Sequence, residues 1–294
     1  MKKLVKSIKR IGLLGNFEKP AFRSLVRHAA RLIARSGRVP LTDTLTAEFA
    51  GLKRPTCSDA VALSRQADLL LVFGGDGTML RVAREIAGSR TPMLGINIGG
   101  LGFLTAVSSS ELPVALKRIW DGEFTVESRA LIQATGRCGG RFTRQNALND
   151  FVISRGDTPR LTQLEVSVDR HPLTRYRCDG LIVSSPTGST AYSLAAGGAI
   201  VSPTAEVFAL TPICPHTLSN RSVIVSLDST IRVKVISPKP TSVLSADGQV
   251  INALAAGDVI TIRRSAKAVR LMHLAGTSFF ETLRRKLHWR GASV

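Results

Sequence analysis

Hydrophobic positions along this chain change their period partway through. Up to about residue 127, short apolar runs of strand length alternate with stretches in which apolar residues recur every three or four positions. The pattern predicts a strand over Ser7 to Leu14, a helix over Ala21 to Gly37, and a strand over Leu69 to Phe73. It continues with a helix over Thr78 to Ala87 closed by Gly88, a strand over Met93 to Ile98, and a helix over Glu111 to Trp120. Strands alternating with helices build a mostly parallel open α/β sheet, whose ligands bind at the carboxyl ends of the strands.

Beyond Glu127 the pattern becomes a series of short β-type runs punctuated by Gly, Pro and Asp: Leu131 to Thr135, Ala147 to Ser154, Leu164 to Val168, Leu181 to Ser184, Ser222 to Val225, Ile231 to Ile236 and Val259 to Ile262. That density of strands implies a β-rich second domain, interrupted by one helix from about Thr190. Ser278 to Leu287 reads as a helix that returns to the first domain. The expected organisation is an α/β domain over 1–127, a β-rich domain over 128–270 and a returning tail over 271–294.

Composition narrows the class. The 294 residues are 44% hydrophobic and 21% charged, with neither low-complexity tracts nor an internal repeat, so the chain folds around buried cores. Charged residues or glycine break every apolar run well before the roughly 18 residues of a membrane span. Met1 to Arg10 is basic but lacks the apolar block and cleavage site of a secretory signal, so a cytoplasmic location is expected. Cys57, Cys138, Cys178 and Cys214 are widely spaced with no C-x-x-C pair, which argues for reduced, mostly buried thiols and against a disulfide framework or zinc site.

Lys and Arg outnumber Asp and Glu by 40 to 21, a formal net charge of +19 that concentrates anions near the surface. Much of the excess lies early, in Lys2, Lys3, Lys6, Lys9, Arg10, Lys19, Arg23, Arg27, Arg31 and Arg35. Arginines every four residues, with Phe22, Leu25, Val26 and Ile33 able to face inward, describe the solvated side of an amphipathic helix. A nucleic-acid stripe is disfavoured, because aromatics make up only 5% and do not alternate with the basic residues.

The most specific local feature is the strand Leu69 to Phe73 running into Gly74-Gly75-Asp76-Gly77-Thr78 and then a helix. A helix start offers free backbone N–H groups and the positive end of a dipole to phosphate oxygens, and side chains at Gly74, Gly75 and Gly77 would obstruct that approach. Asp76 is the ionisable group of the turn, placed to take a proton from an attacking hydroxyl or to orient a phosphate-bound metal. The plain alternative is an Asp that caps the helix. Neither the P-loop spacing with its lysine nor a G-x-G-x-x-G fingerprint is present.

This turn resembles the one shared by phosphofructokinases, diacylglycerol and sphingosine-type lipid kinases, and NAD kinases. Further segments favour the last group. Gly95-Ile96-Asn97-Ile98-Gly99-Gly100-Leu101-Gly102-Phe103-Leu104-Thr105 looks like the second glycine-rich segment of NAD kinases. Asn149-Asp150 resembles their Asn-Asp or Asn-Glu pair, and the run from Asp179-Gly180 through Ser185-Pro186-Thr187-Gly188-Ser189-Thr190 to Gly197-Gly198 matches them closely. Phe279 to Trp289 looks like their closing helix. The likeness covers nearly the whole chain from about Ile11, with Ser185, Ala195 and Ala106 departing from the expected Thr, Ser and acidic residue.

The resemblance implies an enzyme that uses ATP with a divalent metal, Mg²⁺, to phosphorylate the 2'-hydroxyl of the adenosine ribose of NAD, giving NADP. It implies Asp76 as general base with Gly77 beside it, and Gly74, Gly75, Gly77 and Thr78 as the phosphate-binding turn. Asn149 and Asp150 would hold ribose, and Arg177 and Asp179 would line the NAD pocket. Thr190, Ala191, Tyr192, Ser193, Leu194 and Ala195 would surround the base or nicotinamide, with Gln249 and the more variable Arg160 as further contacts. No protein metal-ligand set is expected. The partners implied are NAD, ATP and further copies of the chain in a homodimer or homotetramer, without membrane. Two alternatives stay open at this point: a diacylglycerol-type lipid kinase, and a non-catalytic nucleotide-binding protein.

Overall fold

The computed structural model describes residues 8–53, 56–100, 102–105, 107–156, 160–216, 221–237 and 242–289. Ser7, Leu101, Ala106 and the early lysines Lys2, Lys3 and Lys6 lie outside the described residues. The chain divides into two compact units, the described residues up to Ser128 together with those from Ala268 onward, and Arg129–Lys267.

In the first unit, strands β1 (Arg10–Gly15), β2 (Val39–Thr42), β3 (Leu69–Gly74), β4 (Pro92–Asn97) and β5 (Val107–Ser108) form a parallel sheet in the order β2-β1-β3-β4-β5. β3 is central and fully buried from Leu69 to Phe73, as its uninterrupted apolar sequence requires of a strand covered on both faces. Helix α1 (Phe22–Arg35) buries Phe22, Val26, Ala29 and Ile33 and leaves Arg23, Arg27, Arg31 and Arg35 exposed, so the arginine stripe is its solvated face. Helix α4 (Asp76–Glu85) follows β3 directly, and α5 (Leu112–Asp121) ends at the left-handed Gly122.

In the first unit the hydrophobic pattern missed β2, the two-residue β5 and the seven-residue helices α2 (Thr44–Ala50) and α3 (Ala60–Gln66). Both helices start at an aspartate whose carboxylate accepts an N–H three residues on, Asp43 from Thr46 at 2.8 Å and Asp59 from Ala62 at 2.7 Å. A second difference concerns α4. Its helix begins at Asp76, two residues before the expected Thr78, with Gly75 as N-cap.

The second unit is a pair of antiparallel sheets. One runs β13 (Val223–Ser226), β12 (Val207–Ile213), β11 (Gly180–Ser184), β8 (Asp150–Arg155), β15 (Ser242–Ala246), β16 (Gln249–Leu254). The other runs β10 (His171–Cys178), β9 (Thr162–Val168), β14 (Ile231–Val235), β17 (Val259–Leu274), β6 (Phe124–Cys138), β7 (Arg141–Ala147). Alternate residues face inward, strictly so in β14, where Ile231, Val233 and Val235 are buried and Arg232 and Lys234 exposed. These meet Phe151, Ile153, Leu181, Val183, Phe208, Leu210 and Leu244 of the first sheet in one core.

The expected strand over Ala147 to Ser154 is in fact the end of β7 and the start of β8, broken at Leu148 and Asn149. The expected helix from Thr190 is shorter and later, a 3-10 turn over Thr187–Thr190 followed by one turn of α-helix, α6 (Tyr192–Ala195). β17 outlasts its predicted end at Ile262 and reaches Leu274, with Arg270 and Leu271 pairing alongside β4. Helix α7 (Phe279–Leu287), capped by Ser278, belongs to the first unit, burying Leu283 and bringing Lys286 Nζ to 6.0 Å from the centre of the Phe103 ring. Cys57, Cys138 and Cys178 are buried, Cys214 is exposed, and all four are free.

Candidate functional site

In the first unit the chemistry gathers where β3 gives way to α4. Gly75 has extended backbone, so the chain turns sharply and the first N–H groups of α4 have no helical acceptor behind them. A side chain at Gly75 or Gly77 would meet nothing within 4 Å, which leaves both flanks of Asp76 open to a ligand. Gly74 differs. A Cβ there would lie 2.2 Å from Thr78 Oγ1, so Gly74 is required by Thr78 of its own turn and not by a phosphate.

Asp76 does not cap its helix. Its Oδ2 accepts the Phe103 N–H at 2.8 Å, and its Oδ1 accepts the Leu104 N–H at 2.9 Å and the Thr105 hydroxyl at 3.3 Å. The second glycine segment therefore has a specific task, which is to hold the carboxylate of the first. Closeness is possible because residue 102 has no side chain, since a Cβ there would lie 2.0 Å from Asp76 Oδ1.

In the second unit, three segments converge on the start of β8. Asn149 and Asp150 are 9% and 4% exposed, at the break between β7 and β8. The segment after β11 lies against them: Ser185 N–H donates to Asn149 O at 2.8 Å, and Ser185 Oγ donates to Leu148 O at 2.5 Å and accepts the Gly188 N–H at 3.2 Å. The hairpin turn between β15 and β16 supplies Asp247, in left-handed backbone at φ +47°. Its carboxylate accepts the N–H groups of Leu148 at 3.1 Å, Asn149 at 2.8 Å and Asp150 at 3.3 Å, while its own N–H donates to Asp150 O at 3.0 Å.

Asp150 is the electrostatic anomaly of this cluster. Among the described residues no donor reaches its carboxylate, and burial, with the charge of Asp247 added, pushes its pKa up to about 7. A buried carboxyl without donors is costly unless a ligand supplies them.

The remaining predicted contacts lie elsewhere. Arg177 is exposed near the end of β10, and Asp179 is paired with Arg155 Nε at 2.6 Å. Asp150 opens β8 and Arg155 closes it, so Asp179 sits at the other end of that strand from Asp150, roughly 16 Å away at the rise of an extended chain. Thr190 bonds back to Thr187 O at 3.3 Å, Ala191 and Leu194 are half-buried, Ala195 is exposed, and Tyr192 presents its ring to solvent. Ser193 is turned into the core, where its hydroxyl meets Thr211 Oγ1 at 2.9 Å. Gln249 and Arg160 are exposed.

Asp247, Thr105, Asn97 and Gly102 were missed by sequence reasoning. The Asp247-Gly248 turn signal was visible, but its partners lie almost a hundred residues earlier. Among the described residues no three His, Cys, Asp or Glu side chains gather as a metal site.

An α/β unit with a carboxylate fixed at a glycine turn, joined to a β-rich unit with a buried amide and carboxyl pair, is the build of a nucleotide-dependent kinase. The ATP-NAD kinase N-terminal domain matches residues 11–124, and the ATP-NAD kinase C-terminal domain matches residues 148–274. An NAD kinase of Syntrophotalea carbinolica is 40% identical over 96% of this chain and 99% of its own length, and one of Moorella thermoacetica is 42% identical over 97% and 91%. Among solved structures, yeast NADH kinase complexed with NADH superposes with a TM-score of 0.88 at 26% identity, over 98% of this chain and 89% of the other. An NAD kinase from Archaeoglobus fulgidus in complex with ATP gives a TM-score of 0.75 at 25% identity, over 96% and 100%. The chain belongs to the ATP-NAD kinase family.

Proposed function

We propose that this protein transfers the terminal phosphoryl group of ATP to the 2'-hydroxyl of the adenosine ribose of NAD, with Asp76 as the general base. The reading is carried by Asp76 itself, a carboxylate oriented by three donors at the start of α4 while Gly75 and Gly77 leave its flanks open. In the transfer, the ribose oxygen bonds to the γ-phosphorus, the bond from that phosphorus to the β,γ-bridging oxygen breaks, and its electron pair leaves with ADP. The hydroxyl proton passes to Asp76. An aspartate is a weak base, and it need only accept the proton late, because positioning and electrostatic stabilisation supply most of the barrier reduction in such reactions.

The free N–H groups of α4 suit the triphosphate. Mg²⁺ bound to ATP would supply charge neutralisation, and it keeps phosphate and water ligands where such an ion is carried by its nucleotide. Asn149 and Asp150 hold the ribose, whose hydroxyls supply the donors that Asp150 lacks. Tyr192 packs on the base or a sugar.

Arg177 and Asp179, at the far end of β8, serve NAD bound mainly to another copy of the chain, so the working form is a homodimer or homotetramer. Among the described residues no helix is long and apolar enough to cross a membrane, and the site we place is cytoplasmic. NADP formation from ATP, Mg²⁺ and NAD, followed with an NADP-specific dehydrogenase, tests the activity. Asp76→Asn is expected to abolish turnover while NAD affinity stays within a few-fold, and near-normal turnover in that variant would refute the base assignment. Transfer of label from ATP to diacylglycerol, giving its phosphate ester, with none in NADP would refute the acceptor.

A further inference from the structure

The hydrogen bonds that hold Asp76 rest on a buried polar network behind it. Thr105 is 0% exposed and Asn97 3% exposed. Asn97 Nδ2 donates to Thr105 Oγ1 at 2.9 Å and to Gly100 O at 2.5 Å, and its Oδ1 accepts the Gly99 N–H at 2.5 Å. The Thr105 hydroxyl, thus held from one side, donates on the other to Asp76 Oδ1.

We propose that Thr105, with Asn97 behind it, is a positioning residue of the phosphoryl transfer, which fixes the Asp76 carboxylate in the orientation that receives the hydroxyl proton. The proposal rests on Asp76 being the base. At the first position of a helix an aspartate is free to swing back onto the N–H groups of its own turn. Three donors from the second glycine segment decide against that alternative. A carboxylate accepts at about four positions, so with three filled about one lone pair remains, and its direction is set by the other three. Gly102 completes the device, since any side chain there would displace Asp76 Oδ1 or Thr105 Oγ1, at 2.0 and 2.5 Å from its Cβ position.

Thr105→Val keeps the shape and removes the hydroxyl, whereas Thr105→Ser keeps it. With the full chain in the coupled NADP assay, Thr105→Val is expected to lower kcat roughly tenfold, the scale of one hydrogen bond to a charged group, with KM for NAD and ATP within about twofold. Thr105→Ser should recover kcat to within about threefold of the parent.

Removing the hydroxyl also strips a buried partner from Asn97, so a second variant covers the case of poor folding. Gly102→Ala keeps every donor and pushes a methyl group against Oδ1, and it too should lower kcat and spare KM. Parental kcat in Thr105→Val or in a folded Gly102→Ala overturns the proposal, as does equal impairment by Val and Ser. The underlying reading fails separately. If Asp76→Asn retains turnover the base assignment falls, whereas an inactive Asp76→Asn beside a fully active Thr105→Val sinks the positioning role alone.

Discussion

Replacing Asp150 with Asn should stabilise the fold with rising pH while weakening NAD binding. The carboxyl has an ordinary pKa of 3.8 and is pushed to about 7 in the folded chain, first by burial and then by Asp247. A raised carboxyl means that the folded state binds its proton more tightly than the unfolded state does. Stability from this group is therefore complete below pH 3.8 and is lost as pH rises to about 7, after which the loss is constant. Three pKa units correspond to about 4 kcal/mol, of which about 3 kcal/mol accrues between pH 5 and 8. The side chain is 4% exposed, so solvent screening does little to reduce the figure.

Asparagine occupies nearly the same volume and carries no charge, so Asp150→Asn escapes that loss. Urea unfolding of both proteins at half-unit steps from pH 5 to 8.5 measures it. The difference in unfolding free energy, variant minus parent, should climb in favour of the variant by about 3 kcal/mol and then flatten. The variant should also need more NAD for half-saturation. Parallel stability curves across the whole range would refute the electrostatic reasoning, and unchanged NAD affinity would remove Asp150 from the ribose site.

Asp247→Ala leaves the N–H groups of Leu148, Asn149 and Asp150 without their acceptor. It should raise KM for NAD at least tenfold with little change in KM for ATP, as initial-rate kinetics will report. If Arg177 and Asp179 serve a neighbouring copy, mixing unfolded Asp76→Asn and Asp179→Ala chains and refolding them together should restore activity that neither has alone. A mixture that stays inactive places both residues in the site of their own chain.

The fold class was legible because period is a collective property of many residues, and a slip of one or two positions at an element's end does not alter it. The fully apolar β3 and the i, i+4, i+7 spacing of Phe22, Val26 and Ala29 each identify their element alone. What escaped was short or interrupted. Helices α2 and α3 have seven residues apiece, too few to establish a period, and only Asp43 and Asp59 announced them. β17 was cut short at Ile262 because Arg263, Arg264, Lys267 and Arg270 dilute its apolar content, and the consecutive exposed pairs Arg263-Arg264 and Ala266-Lys267 interrupt its alternation. The glycine turn with Asp76 could be read because glycines and an ionisable group carry their meaning locally. Its clasp could not, since the donors at Phe103 and Leu104 are main-chain groups that any residue type provides.

Asp76 of the first unit and Asp150 of the second are prepared in opposite ways, and the difference separates their tasks. Asp76 is given three donors by the protein, so its direction is settled before any substrate arrives. Among the described residues Asp150 is given none, and it is kept in a poorly solvated position, so it gains most when a hydroxyl-bearing ligand comes to it. A group oriented in advance contributes chiefly to the step that uses its orientation, and its disturbance belongs in kcat. A group left unsatisfied until the ligand binds contributes chiefly to binding, and its loss belongs in the affinity for NAD. Thr105→Val and Asp150→Asn should accordingly diverge in one set of rate measurements, the first lowering the maximal rate and the second shifting the NAD concentration at which it is approached. Were both to act on the same parameter, the two carboxylates would not have the separate roles that their surroundings give them.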